Sequence, residues 1–466
     1  MTAAANPEQL AQQEAGLARQ LTTRQMSMIA IGGAIGTGLF LGSSLAVHEA
    51  GPGVILTYIL GAFIALLLVG ALAEMAVAHP AAGSFGVYAE LYVSRWAGFT
   101  VRYTYWAAQS IAIGGEATAV AIYCGWWFPG VPQWVWIVGF SAALIYVNAR
   151  SVGAFGEFEY WFALIKVVAI VLFIVFGASQ LLGIAPGTRI APHYVDDGGF
   201  LPMGWTGVWR ALCFVIFSYI GSEVIAVTAG EAKDPTTAVP RAMRSMLGRL
   251  SIFYIGSIVV LVGVVPWNRI QSGGDVTASP FVTVFQLMGI PAATHAMNFV
   301  VVTAALSSMN TDLYLATRMI FSLARGGYAP EQLGRVTSRG APLPALLATA
   351  AGLAVATVIN VLSPSKAYVV LFGVALFGGL FVWLMVFVTH LRFRPAWERA
   401  VAAGTAPRLP VHMIGYPYTS LLGAALLVGI LLTTWWIDGM RPALAAGLPW
   451  LAALTLLFWL GFGRRS

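Results

Sequence analysis

A chain of 466 residues that is 59% hydrophobic and only 9% charged is too poor in charge for a water-soluble domain, in which about a quarter of the residues are charged. That deficit, with apolar runs near 20 residues recurring along the chain, excludes a soluble enzyme or binding module and predicts an all-α integral membrane protein. The net charge of +7 points to no nucleic acid, because basic residues in a polytopic protein serve orientation.

In chain order, residues 1–23 are polar and helix-prone, lack the short apolar region and cleavage site of a signal peptide, and read as a cytoplasmic N-terminal tail. Apolar windows and polar breaks then predict twelve spans, beginning near Arg24, Val54, Ala97, Trp134, Phe158, Gly207, Leu247, Ala293, Leu343, Ala367, Tyr418 and Ala443. Arg95, Arg150, Lys233, Arg241, Arg244, Arg325, Arg335, Arg339, Arg392, Arg394, Arg399, Arg464 and Arg465 fall on the side of the N-terminus. The opposite side keeps Arg189, Arg269, Lys366 and Arg441, beside Asp196, Asp197, Asp275 and Asp438. By the positive-inside rule both termini are expected in the cytoplasm, in a multi-pass protein of the cytoplasmic membrane. Cys124 and Cys213 read as small buried residues, and no His or Cys spacing suits a metal, so no cofactor is expected. Trp126, Trp127, Trp134, Trp136, Trp435 and Trp436, at span ends, read as interface anchors.

Within the first span, AIGGAIGTGLFLG (Ala30–Gly42) carries five glycines, although glycine disfavours helix by about 1 kcal/mol relative to alanine. Gly33 to Gly38 lie roughly 14 to 21 Å of helix rise beyond Arg24, at mid-bilayer. Backbone that leaves the helix at that depth is tolerated only where protein or a wet cavity satisfies it. VIFSYIGSEVIAVTAG (Val215–Gly230), in the sixth span, repeats the pattern: Ile35-Gly36-Thr37 and Ile220-Gly221-Ser222 share an Ile-Gly-hydroxyl step at similar depth. The two are entered from opposite sides, so two copies would be inverted in the membrane. Close helix packing through small residues is the simpler use of such glycines. The match in depth and sequence favours paired broken helices around a binding site, as in many secondary transporters.

The sequence resembles the bacterial amino acid permeases, the amino acid transporter family of the amino acid–polyamine–organocation superfamily. The resemblance runs from Leu21 to the last span. It rests on GAIGTGLF (Gly33–Phe40), EMAVAHPAAGSFGVYA (Glu74–Ala89), FGEFEYWFALIKV (Phe155–Val167), FSYIGSEVIAVTAGEAKDP (Phe217–Pro235) and SSMNTDLYLATRMIFSLARGGYAP (Ser307–Pro330), in order and at these separations. It implies a leucine-transporter-type fold with a 5+5 inverted repeat. Helices 1 to 5 would occupy residues 24–182 and helices 6 to 10 residues 207–392, with helices 1 and 6 broken. An extracytoplasmic loop (183–206) would join the repeats, and a cytoplasmic loop (393–416) would lead to two extra helices and a short tail (417–466). It further implies that Thr37 and Gly38, with Gly36 beside them, hold the substrate's α-carboxylate. The carbonyls of Ala34, Phe217, Ser218 and Ile220 would hold its α-ammonium.

Ionisable residues inside spans are costly and therefore functional candidates. Lys166 lies nine residues past Glu157, roughly 14 Å along the fifth helix, at the depth of both glycine breaks. One reading is a lysine snorkelling to the interface. The resemblance implies another, that its ammonium stands where other members hold sodium, bonding the unwound first span and the hydroxyls of Ser307 and Ser308. Glu116, two turns beyond Gln109, is expected either to relay protons and meet the substrate or to bond a neighbouring helix. Glu223 would line the cavity or brace the second break. Glu231 would close the cytoplasmic face with an arginine such as Arg241 or Arg318, and Glu74 would act similarly at the inner end of the second span. Asp312, where family members commonly carry a small or amide residue, would face either the cavity or Lys166. Asn310 would bond unwound backbone or polarise the interface. Tyr105, Trp106, Phe214, Phe217 and Tyr219 are candidate walls or gates.

The expected function is import of an L-amino acid by proton symport with alternating access, without sodium and without cofactor. The apolar tenth span favours a neutral substrate, whether aromatic, aliphatic or hydroxylated. Glu116 and Asp312 keep a cationic amino acid as an alternative, and an amino acid or polyamine exchanger is another. No nucleophile–base set indicates an enzyme, no nucleotide-binding motif indicates ATP hydrolysis, and an inverted repeat argues against a channel. Expected partners are the substrate, the lipid bilayer and a second copy joined through the last two helices.

Overall fold

Seventeen α-helices succeed one another in a computed structural model, which describes residues 21–150, 152–184, 190–232, 235–270, 279–287, 291–338, 340–362 and 364–462. They are α1 (Thr23–Ala34), α2 (Thr37–Phe40), α3 (Gly42–Ala50), α4 (Val54–Ala78), α5 (Ser84–Tyr92), α6 (Arg95–Trp127), α7 (Gln133–Arg150), α8 (Val152–Leu182) and α9 (Gly204–Tyr219). After these come α10 (Val224–Thr228), α11 (Pro235–Val264), α12 (Pro280–Leu287), α13 (Pro291–Arg325), α14 (Leu343–Leu362), α15 (Pro364–Ala402), α16 (Tyr418–Thr433) and α17 (Pro442–Gly461). No strand occurs among the described residues, whose only β pairing is an isolated bridge between Leu21 and Ala232. The expected tail up to residue 20, and Arg189, Lys233, Asp275, Arg339, Arg464 and Arg465, lie outside the described residues.

Local chemistry sets where helices begin. Thr22 and Gln25 form a capping box at α1: the Thr22 hydroxyl accepts from the Gln25 amide at 3.3 Å, and the Gln25 side chain accepts from the Thr22 amide at 3.1 Å. Ser94 caps α6, accepting from the Ala97 amide at 3.1 Å. Every one of the twelve expected span starts falls within a helix.

Among the described residues, eight helical stretches are long and apolar enough to cross a membrane: Gly42–Ala78, Gly153–Leu182, Gly204–Glu231, Thr237–Val264, Ala292–Arg325, Val369–Ala402, Tyr418–Trp436 and Pro442–Gly461. The protein is a multi-pass membrane protein. Its surface agrees with that solvent: Leu422, Leu432, Leu456, Leu457, Trp459 and Leu460 are exposed, a pattern that water would penalise and lipid does not.

The broken helices α1–α2 and α9–α10 pack among α3, α4, α8, α11 and α13, with α6 and α15 reaching them through Glu116 and Phe372, while α16 and α17 pack on α15. One end of the molecule gathers His79, Tyr92, Phe393 and Trp397 in ring contacts with Arg394 nearby; we term it the basic end. At the far end Gly51 meets Pro202 and Trp267.

Candidate functional site

The helix stops at Ile35 and Gly36. Ile35 has φ −84° and ψ 87°, and Gly36 is extended, before α2 resumes at Thr37. Glycine is needed at position 36 for closeness: a Cβ there would lie 2.5 Å from Ser308 Oγ and 3.0 Å from a Glu116 oxygen. The second break is a turn over residues 220–223, where Gly221 takes φ +102° and a Cβ would fall 2.7 Å from the Gly33 carbonyl oxygen. The two breaks therefore touch each other. They are also tied by Tyr254, a buried residue of α11 whose hydroxyl oxygen lies 2.6 Å from Ala34 O and 2.7 Å from Ser218 O. Two of the carbonyls expected to receive a substrate ammonium thus face a tyrosine. Nothing in the sequence around Tyr254 singles it out.

Lys166 is fully buried and donates to two carbonyls freed by the first break, Gly32 O and, at 2.8 Å, Ile35 O. Ser307, expected on Lys166, instead donates to Glu159, and Asn310 Nδ2 donates to the other Glu159 oxygen at 3.1 Å. A carboxylate is the stronger acceptor, which explains the preference. Asn148 of α7 extends the chain, donating to Asn310 Oδ1 at 2.6 Å. Glu159, which the sequence reading passed over, is 0% exposed and packs on Gly32, the residue whose carbonyl Lys166 holds. Its spacing from Lys166 was the available signal: seven residues, two helical turns, puts both on one face of α8.

Glu116 covers the start of α2. One of its oxygens accepts from the Thr37 hydroxyl at 2.9 Å and lies 3.4 Å from the Thr37 amide. Across the same cavity a hydrogen-bonded chain runs between helices. Gln109 Nε2 lies 3.0 Å from Asp312 Oδ1 and 3.3 Å from the Tyr105 hydroxyl, which donates to Glu223 at 2.7 Å. The Glu223 carboxylate also accepts from the Gly221 amide at 3.0 Å and Trp383 Nε1 at 3.2 Å, so it braces the second break. The cavity enclosed by Gly36, Gly38, Glu116, Phe217, Ser308 and Asp312, with Gln109 and Ala375, measures about 20 Å³, room for one water and not for an amino acid.

Both ends of the site are closed. On the basic-end side, Arg318 grips Glu231 with Nε at 2.7 Å and Nη2 at 3.3 Å, and the guanidinium lies 3.8 Å over the Tyr314 ring. Of the two arginines expected as partners, Arg318 takes the role and Arg241 is exposed. The Glu231 carbonyl also accepts from the Leu21 amide at 3.2 Å, linking the start of α1 to this pair. Towards the far end, the Phe217 and Phe372 rings pack at 4.0 Å, and Ser279 donates to the Phe40 carbonyl at 2.5 Å. Glu74 lies apart from the cavity, held by Arg394 at 2.6 Å and by His390 at 3.3 Å. Among the described residues no group of three His, Cys, Asp or Glu side chains is placed to hold a metal.

The family model described as amino acid permease matches residues 25–463. The chain is 37% identical over 459 residues to the gamma-aminobutyric acid permease of Bacillus subtilis (strain 168), covering 98% of this chain and 96% of that protein. It is 39% identical over 418 residues to the aromatic amino acid transport protein AroP of Escherichia coli (strain K12), covering 90% of each. Among solved structures, the manganese transporter of Eremococcus coleocola, in complex with an aromatic bis-isothiourea substituted compound, shares the fold with a TM-score of 0.57. It covers 93% of this chain and 92% of that one at 13% identity. The chain belongs to the amino acid permease family.

Proposed function

We propose that this permease imports an L-amino acid together with a proton by alternating access. The observation that carries the reading is Lys166, whose buried ammonium is bonded to backbone carbonyls at the broken first helix. A cation built into the protein at that place supplies the positive charge a sodium ion would otherwise bring, and a lysine can in addition give up and regain a proton. No sodium dependence is therefore expected. The free ends of α2 and the turn at residues 220–223 offer backbone groups to the two charged ends of an amino acid: Thr37 and Gly38, beside Gly36, for the carboxylate, and the carbonyls of Phe217, Ile220, Ala34 and Ser218 for the ammonium. The last two require the Tyr254 hydroxyl to let go.

The two breaks, placed alike in residues 24–182 and 207–392, support a 5+5 inverted repeat of leucine-transporter type within twelve spans. Charge distribution supports cytoplasmic termini in a bacterial inner membrane. The exposed apolar faces of α16 and α17 suit lipid or a second copy. Phe217, Ile220, Ala112 and Ala375 around the cavity support a substrate without net side-chain charge, and the names of the two relatives, which cite gamma-aminobutyric acid and aromatic amino acids, are in keeping with it.

The test is uptake of a labelled amino acid panel into proteoliposomes, under an inward proton gradient, without sodium and with empty vesicles. Accumulation that an uncoupler abolishes is the expected result. Uptake that appears only after preloading with an amino acid would replace symport by exchange.

A further inference from the structure

We infer that the substrate's side chain carries a hydrogen-bond donor, read by the oxygens of Asp312 and Gln109. The inference rests on the reading of the central cavity as the substrate site, and it deepens that reading from the shared amino acid head to the side chain.

The direction of one hydrogen-bonded chain carries the argument. Glu223 sits at its end and already accepts from the Gly221 amide and from the Trp383 indole, so it acts as an acceptor carboxylate. Tyr105 must then spend its single proton on Glu223, at 2.7 Å. Its oxygen is left to accept, and the partner that donates to it is the Gln109 amide nitrogen. The same nitrogen donates to Asp312 Oδ1 at 3.0 Å. Both N–H groups of the amide are thereby committed, and what remains of the pair is Gln109 Oε1 and Asp312 Oδ2. The hydrogen bonds of the pair run through Gln109 Nε2 and Asp312 Oδ1, and both residues line the cavity while being 3% and 7% exposed.

With Asp312 as a carboxylate, the pair turns two acceptor oxygens and no proton towards a side chain, while the Ser308 hydroxyl and the backbone N–H groups of α2 lie nearer Gly36, on the side of the amino acid head. A hydroxyl, a carboxamide N–H or an ammonium satisfies those two oxygens. An aliphatic or phenyl side chain takes them out of water with nothing in return, and a carboxylate adds repulsion. Sites that must hydrogen-bond their ligand discriminate strongly against analogues lacking the group, because the site's own polar atoms are left unpaired.

The test compares near-isosteric pairs in proteoliposomes of the full chain: threonine against valine, and asparagine against leucine, with lysine as the charged donor. Wild-type uptake should favour the donor of each pair about tenfold or more. The preference should shrink to within about threefold in Asp312→Ala. If that variant does not fold, the nearly isosteric Asp312→Asn serves: its amide adds a donor to the site, and the threonine-to-valine ratio should again fall. Lysine taken up ahead of threonine supports the inference with an ammonium as the donor; threonine ahead of lysine supports it with a neutral one. Valine and leucine transported as well as their partners, or ratios unchanged in the Asp312 variants, overturn the inference and leave amino acid import standing. If no amino acid is taken up and none raises the protein's melting temperature, the reading of the site fails, and the inference with it.

Discussion

At the scale of single residues, the site is a problem of charge burial. Lys166, Glu116, Glu159, Glu223 and Asp312 are all buried, and a buried ion is tolerated only when its hydrogen bonds are made. Each is matched differently: Lys166 by two carbonyls, Glu223 by three donors, Glu159 by Ser307 and Asn310, Glu116 by Thr37, and Asp312 by the Gln109 amide. The second oxygen of Glu116 has no partner, which makes it the least satisfied of the three glutamates at the site. Replacing Glu159 by Gln keeps its size and removes the acid that meets Lys166 at Gly32. The expected result is proton-driven accumulation reduced at least tenfold with normal membrane expression; unchanged accumulation would reduce Glu159 to a packing role. Tyr254→Phe removes one hydroxyl shared by two carbonyls. It should lower stability by about 1 kcal/mol, as a modest shift in melting temperature, and leave Ala34 O and Ser218 O open to a substrate ammonium.

At the scale of elements, two helices are broken by different devices. Gly221 adopts a left-handed conformation that other residues reach only at a cost of about 1–2 kcal/mol, and its Cβ would strike the Gly33 carbonyl. Gly36 is extended, and its constraint is the contact with Ser308. Gly221→Ala should therefore be the more damaging change, lowering the melting temperature of the purified protein further than Gly36→Ala does. Equal effects would mean that backbone conformation matters less than crowding. Gly36→Ala is expected to act mainly on substrate affinity, since Ser308 lines the cavity.

These breaks were legible beforehand because a glycine cluster at mid-depth conflicts with a helix in lipid, and the conflict repeats 185 residues on. The residues that join elements were not. Tyr254 looks like any apolar-span tyrosine until its hydroxyl is found between two carbonyls. Glu231 offered two arginine partners by sequence, and only the packing of α13 chooses Arg318. Glu159 was legible in principle, through its two-turn spacing from Lys166, and it was missed because Glu157 marked the start of the span.

At the scale of the whole molecule, the site is shut on both sides, by Glu231 and Arg318 towards the basic end and by Phe217 and Phe372 towards the far end. A cavity of about 20 Å³ holds no amino acid, so the proposed import cycle requires these closures to open in turn. Removing one member of a buried ion pair typically costs about 3–5 kcal/mol, because the other charge is stranded. Arg318→Ala should bias the protein towards opening at the basic end. Cysteines introduced along that path, read by a membrane-impermeant thiol reagent applied from each side, should label faster from the cytoplasm than in the parent protein. Faster labelling from the outside would invert the proposed orientation.

The central claim is that Lys166 couples a proton to the amino acid. The most direct measurement places a pH-sensitive dye inside sodium-free proteoliposomes at symmetrical pH and adds the substrate outside. The account predicts acidification of the lumen in step with uptake by the wild-type protein, and no acidification with Lys166→Ala, even where slow downhill uptake persists. Acidification by the Lys166→Ala protein in the same ratio to substrate as in wild type would contradict it.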